Sequence, residues 1–91
     1  MDFEWHDGKN QQNIAKHDIS FQEARHVFSD EKRIVILDKK HSVREKRYFC
    51  IGKTRDGKIA TVRFTIRESR IRIIGAGYWR EGKKIYEKKG Q

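Results

Sequence analysis

The chain changes period about a third of the way along. Up to residue 29 its apolar residues recur at helical spacing, and from residue 33 they alternate. Residues 9–18 are polar around Ile14 and Ala15, the pattern of a short amphipathic helix with Asp7 as its N-cap. Ser20 opens a second helix. Ser20 and Glu23 have the S-x-x-E spacing in which each side chain caps the other's backbone N–H. Phe21, Ala24, Val27 and Phe28 then form one apolar stripe, which is core packing rather than a binding groove.

The later segments read as strands. Residues 33–37 and 48–51 are rich in β-branched and aromatic side chains, 59–67 alternates cleanly, and 70–76 follows. Asp56-Gly57 is a hairpin signal because both residues tolerate positive φ, and Glu68-Ser69 makes a second turn. Consecutive hairpins predict an antiparallel sheet. The whole predicts an α+β fold: two N-terminal helices packed on one face of a twisted antiparallel sheet, then a short C-terminal helix or tail over 83–89.

Parity extends this. If Asp56-Gly57 is a two-residue turn, facing residue numbers across that hairpin have an odd sum. Phe49 and Ile51 then share a face with Ala60, Val62 and Phe64, and the turn at Glu68-Ser69 adds Ile66, Ile71 and Ile73. The helices would cover that face. The opposite face carries Lys46, Tyr48, Arg63, Thr65, Arg67 and Arg72, with Cys50 in the same parity; Glu45 and Arg47 fall toward the helix side. Cations around an aromatic with almost no acid suit an anion-binding face better than an ordinary solvated one.

Composition sharpens the picture. The chain has 91 residues, 35% hydrophobic and 38% charged, which suits a single domain over 1–91 with a small core. It carries 22 Lys and Arg against 13 Asp and Glu, a net charge of +9, so a polyanion is the natural partner and nucleic acid the commonest. No apolar run approaches a membrane span, the acidic, aromatic start is not a signal peptide, and a cytoplasmic setting is expected. The lone Cys50 excludes an internal disulfide and has no evident base beside it, so it reads as a structural thiol. His6, His26 and His41 have no ligand spacing with one another or with Cys50, so no metal and no cofactor are expected.

Several residues form an ordered set: Phe3-Glu4-Trp5-His6-Asp7, Lys9-Asn10, Asn13, Lys16-His17, Ile19-Ser20-Phe21, Glu23-Ala24 and Val27-Phe28. Downstream come an E-x-R (Glu45, Arg47), a G…V-x-[YF]-T-x-R strand (Gly52, Gly57, Val62, Thr65, Arg67) and the segment Arg72-Ile73-Ile74. In this combination, over nearly its whole length, the chain resembles the BrnT family of toxins. The resemblance implies a RelE-like fold and the toxin half of a type II toxin–antitoxin pair, a metal-independent RNA endonuclease that stops translation. It further implies a BrnA-like antitoxin with a ribbon-helix-helix domain, through which alone the pair would meet promoter DNA. In one place the chain departs from the family: Gly75 and Gly77 stand where the family usually has Ser and Arg. That departure keeps an alternative open, a non-catalytic member that binds RNA or antitoxin.

The resemblance and the charged face together nominate residues. RNA cleavage without a metal needs a base for the 2′-hydroxyl, cations for the transition-state phosphate and an acid for the leaving oxygen. Arg67 and Arg72 are the first phosphate clamps, since both match family positions and arginine grips phosphate bidentately. Glu45 is the candidate base, or else the partner of Arg47 in a structural ion pair. Arg80 would stand in for the missing arginine if the backbone bends at Gly75 and Gly77. His17 is either a helix-end cap or a catalytic group. Lys46, Arg63, Tyr48 and Trp79 are the candidate RNA contacts, the last two by stacking or else by packing.

Overall fold

In the computed structural model, which describes residues 1–90, a mixed five-stranded sheet is ordered β1-β5-β4-β3-β2. Its strands are β1 (Phe3–Glu4), β2 (Ile34–Leu37), β3 (Arg47–Lys53), β4 (Ile59–Arg67) and β5 (Arg70–Gly77). Neighbours are antiparallel except β1, which runs parallel to β5, so the sheet is not antiparallel throughout. The helices are α1 (Asp7–His17), α2 (Phe21–Ala24, tightening into a 3-10 helix over Arg25–Ser29) and α3 (Arg80–Lys89). No described helix is long and apolar enough to cross a membrane.

One half of the reciprocal Ser20–Glu23 cap forms, the Glu23 N–H donating to Ser20 Oγ at 3.0 Å, while the Glu23 carboxylate turns toward His26 at 4.0 Å. Phe21, Ala24 and Val27 are fully buried beneath this cap. For α1 the cap is His6 rather than Asp7: its Nδ1 accepts from the Lys9 N–H at 3.3 Å, and Asp7 sits in the first turn, where its charge suits the helix dipole.

α1 buries almost no apolar surface, and Ile14 is exposed. Two asparagines hold it instead. Asn13 donates to the Ile19 carbonyl at 2.9 Å and accepts from the Ala76 N–H at 3.1 Å. Asn10 accepts from the Phe21 N–H at 2.8 Å. β1 pairs with β5 only at Ile71 and Arg72, so further along that edge a backbone donor needs a partner, and Asn13 provides it. α1 therefore meets the sheet at its β5 side through hydrogen bonds, and α2 supplies the apolar core contacts.

The β3–β4 loop departs from a two-residue turn. The Thr54 N–H donates to the Lys58 carbonyl at 2.8 Å, leaving Arg55, Asp56 and Gly57 as a three-residue loop with Gly57 at φ 81°. Cys50 therefore faces Val62, Phe49 faces Arg63 and Tyr48 faces Phe64, which turns β3 over relative to the odd-sum register. Cys50 joins Ala60, Val62, Phe64, Ile71, Ile73 and Ala76 in the main core, while Ile51 passes to the other face. β4 and β5 keep their expected faces, because Glu68 and Ser69 (φ 50° and 66°) do form a two-residue turn with Arg67 opposite Arg70. Burial pushes the Cys50 thiol up to about 12, which fits an inert core thiol.

α3 covers part of the second face. Tyr86 joins Ile34 and Ile51 in a small cluster, with Ile36, Ile59 and Ile85 packed around it. The Tyr86 hydroxyl donates to Asp30 Oδ2 at 2.6 Å, and the N–H groups of Lys53 (2.8 Å) and Lys32 (2.9 Å) donate to the same carboxylate. Burial opposes ionisation of Asp30, but these hydrogen bonds outweigh it and hold the carboxyl below its ordinary value. Burial, then the bond to Asp30, pushes Tyr86 up to about 12.

Two stability measurements follow from these anchors. Asn13→Ala leaves a buried carbonyl and a buried N–H without partners; it is expected to cost about 2–4 kcal/mol by urea denaturation, a fall in Tm on the order of 15 °C. Tyr86→Phe is expected to cost about 1–2 kcal/mol at neutral pH. A depressed carboxyl stabilises fully above its unfolded pKa and loses that contribution as pH falls through the folded one. The gap between wild type and Tyr86→Phe should therefore close as pH drops below about 4.

Candidate nucleic-acid interface

α3 leaves the rest of the second face bare. There the register sets Arg47 opposite Thr65, Arg63 opposite Gly75, Arg72 opposite Thr65 and Arg70 opposite Arg67. Directly opposed residues project from the same face. The bare face is thus a field of arginines, Arg47, Arg63, Arg67, Arg70 and Arg72, around the half-buried Phe49.

Two glutamates reach this field. Glu45 accepts both Nε and Nη2 of Arg67 at 3.2 Å and lies 3.6 Å from Arg47. Glu4 accepts from Arg72 at 2.9 Å and lies 3.6 Å from Arg70. The Arg67 hydrogen bonds hold Glu45 below the usual carboxylate range, and Arg72 does the same for Glu4. A carboxylate so held is a weak proton acceptor, which counts against Glu45 as a base. Arg47 belongs on the arginine face and not toward the helix side, because β3 is turned over. Its Nε is buried without a hydrogen-bond partner.

The face holds two clefts. One, of about 250 Å3, opens between α1, strands β4 and β5 and the Trp79 that precedes α3, and is lined by Lys9, Lys16, His17, Arg63 and Trp79. No carboxylate lines it, and Arg63 makes no ion pair or hydrogen bond among the described residues. His17, the last residue of α1, packs edge-on against the Trp79 indole at 5.2 Å. A Cβ at Gly77 would stand 2.6 Å from that indole, so the glycine is what lets Trp79 lie against β5. The other cleft, of about 550 Å3, lies at the far end of β4 and is lined by Lys40, His41, Arg44, Glu45, Arg47 and Arg67. Arg63 and Arg67 are four residues apart on β4, so the clefts are separated by roughly 13 Å.

The structure thus gathers Arg63, Arg67, Arg72, Arg47 and Glu45 on one face, with His17 and Trp79 at its margin. It removes Tyr48, which stacks on Phe64 in the core at 5.3 Å; the flipped register gives its place to Phe49. Lys46 has the parity of Tyr48 and lies off the arginine field, with its carbonyl accepting from Thr65 Oγ1 at 2.7 Å. Arg80 is the exposed first residue of α3, in no ion pair among the described residues. Lys40 and Arg44, which lie outside regular strands, are not among the residues nominated from the sequence, and His41 is weighed there only as a metal ligand; the i, i+3 spacing of Asp38 and His41 was the available signal. Among the described residues no group of three or more His, Cys, Asp or Glu side chains is placed to hold a metal ion.

The comparisons with known proteins bear on this face. The crystal structure of the Brucella abortus ribonuclease toxin BrnT is similar to it, at a TM-score of 0.67 and 23% identity, covering 87% of this chain and 96% of that one. That likeness speaks to the fold. No curated protein matches the sequence. A model of the family described as the ribonuclease toxin BrnT of type II toxin–antitoxin systems matches residues 5–82. With most of its length inside that match, and with an arginine-lined sheet face to go with it, the chain belongs to the BrnT family of ribonuclease toxins.

Proposed function

We propose that this chain is a metal-independent RNA endonuclease that inhibits translation and is held in check by a ribbon-helix-helix antitoxin of the BrnA kind. The observation that carries the reading is the bare half of the sheet, where Arg47, Arg63, Arg67, Arg70 and Arg72 stand against only two carboxylates. A field of that sign binds a phosphodiester backbone, and planar guanidinium groups match phosphate oxygens two at a time. Arg67, Arg72 and Arg47 hold the scissile phosphate and its developing charge. Arg63, with Trp79 and His17, receives the neighbouring nucleotide, the arginine on its phosphate and the indole against its base. Arg80 contributes charge at the cleft margin. Contact with promoter DNA belongs to the antitoxin, and the pair acts in the cytoplasm.

One observation favours the non-catalytic alternative: both Arg67 and Arg72 already face a carboxylate. The two readings separate in a single assay. The purified chain is incubated with a long RNA in EDTA. Discrete fragments are expected from wild type, with the rate lowered about 100-fold in Arg67→Ala, the typical effect of removing one transition-state contact. Arg63→Ala should weaken binding and flatten its salt dependence by about one charge. Expression of the chain alone should arrest growth, and Arg67→Ala should relieve the arrest. Salt-sensitive binding with no fragments, on free RNA or on ribosomes, would establish the binding reading instead.

A further inference from the structure

Glu45 is committed to Arg67 and Arg47, so the cleft at the end of β4 needs another proton acceptor. Asp38, next to β2, is buried, at 6% exposure. Its Oδ2 lies 2.8 Å from Nδ1 of His41, its only side-chain partner among the described residues. With Nδ1–H donating to this carboxylate, the neutral imidazole has its lone pair at Nε2. The turn that presents the ring is tied down. The Asp38 carbonyl accepts from Ser42 Oγ at 2.6 Å, and the Asp38 N–H donates to the Arg47 carbonyl at 2.8 Å, fixing the turn to the first residue of β3. The ring itself is 45% exposed and lines the cleft that Lys40, Arg44, Arg47 and Arg67 share.

We propose that His41 is the general base of this chain's RNA cleavage and Asp38 the residue that positions it; the inference rests on the nuclease reading above. His41 Nε2 takes the proton of the 2′-hydroxyl. The O2′–phosphorus bond forms as the phosphorus–O5′ bond breaks, and the 5′-oxygen leaves with a proton from solvent water. The products are a 2′,3′-cyclic phosphate and a 5′-hydroxyl, with no change in oxidation state. Arg47 and Arg67 neutralise the phosphate during the exchange. Asp38 holds the tautomer and steadies the imidazolium that forms, as a buried carboxylate does behind a catalytic histidine.

The decisive variant is His41→Asn. Its amide can still donate to Asp38, so a purely structural role is preserved, but nothing remains at the position of Nε2. Cleavage is measured on an RNA oligonucleotide in EDTA, with Tm recorded alongside. The expected result is a fall in kcat of at least about 100-fold with KM and Tm unchanged. His41→Gly should regain activity on addition of imidazole. Asp38→Asn should lower kcat at constant KM, which loss of a merely structural contact would not do. Wild-type cleavage with His41→Asn within threefold of it would overturn this inference and leave the nuclease reading standing. Absence of wild-type cleavage, on free RNA and on ribosomes, would overturn the nuclease reading and this inference with it.

Discussion

The register of the β3–β4 hairpin is the constraint on which the rest of the molecule depends. Gly57, in the left-handed region, closes a three-residue loop, and the side-chain period of a strand is two. One residue more or less in that loop would exchange the two sides of β3. With the loop as it is, Cys50 enters the main core, Ile51 lies among the residues α3 covers, and Arg47 joins the other arginines. A one-residue slip would bury Arg47 against Phe64 and expose Cys50, at a cost of several kcal/mol for the unpaired charge alone. The hairpin thus sets core and charged face together, and neither can be altered alone.

Given that register, the charged face is bare because the apolar residues on that side are confined to one end. Ile34, Ile51 and Ile59 lie on β2, β3 and β4 near the β3–β4 loop end, and α3 has only Ile85 and Tyr86 with which to cover them. Past Phe49 the same side carries arginines, which no helix could bury. Asp30 marks the inner limit: it draws Tyr86 to the 3-10 helix end and to Lys53, so α3 is held over the isoleucines. On the other flank, Asn13 holds α1 against β5 through hydrogen bonds rather than apolar contact. That leaves Lys9, Lys16 and His17 free to line a cleft, since none of them is needed to bury the helix.

This division explains what the amino-acid order revealed and what it hid. The Ser20 cap, the Phe21-Ala24-Val27 stripe and the faces of β4 and β5 were legible because each follows from short-range spacing. The arginines at 63, 67 and 72 were legible for the same reason. β1 was hidden because a two-residue parallel partner has no period to detect. The turn-over of β3 was hidden because Asp-Gly serves a two-residue turn and a three-residue loop equally well. Hence Tyr48 and Phe49 exchanged roles, while both remained aromatic. The anchoring of α1 was hidden because asparagines on a polar helix look like solvent-facing residues. Asp38 was hidden because its importance lies in its burial beside His41, and an i, i+3 pair in a charged loop is only a weak sign of that.

The ion pairs of Arg67 and Arg72 remain to be reconciled with a substrate-binding role. The Arg67 side chain is 50% exposed and that of Arg72 29%, so water screens both pairs and each adds little net stability. A phosphate that brings its own negative charge into a field of arginines gains more than the exchange of one such contact costs. Meanwhile the carboxylates hold the guanidinium planes in place, so less side-chain entropy is lost when the phosphate arrives. Glu4 and Glu45 therefore orient the arginines without neutralising the face: the Arg63 side chain has no ion-pair partner among the described residues, and each glutamate is shared between two arginines. Paired arginines on this sheet are consistent with a site kept ordered in the absence of substrate. The pairing that counts against Glu45 as a base makes it useful as a support for Arg67 and Arg47, and leaves the proton-accepting role to His41, which lines the same cleft.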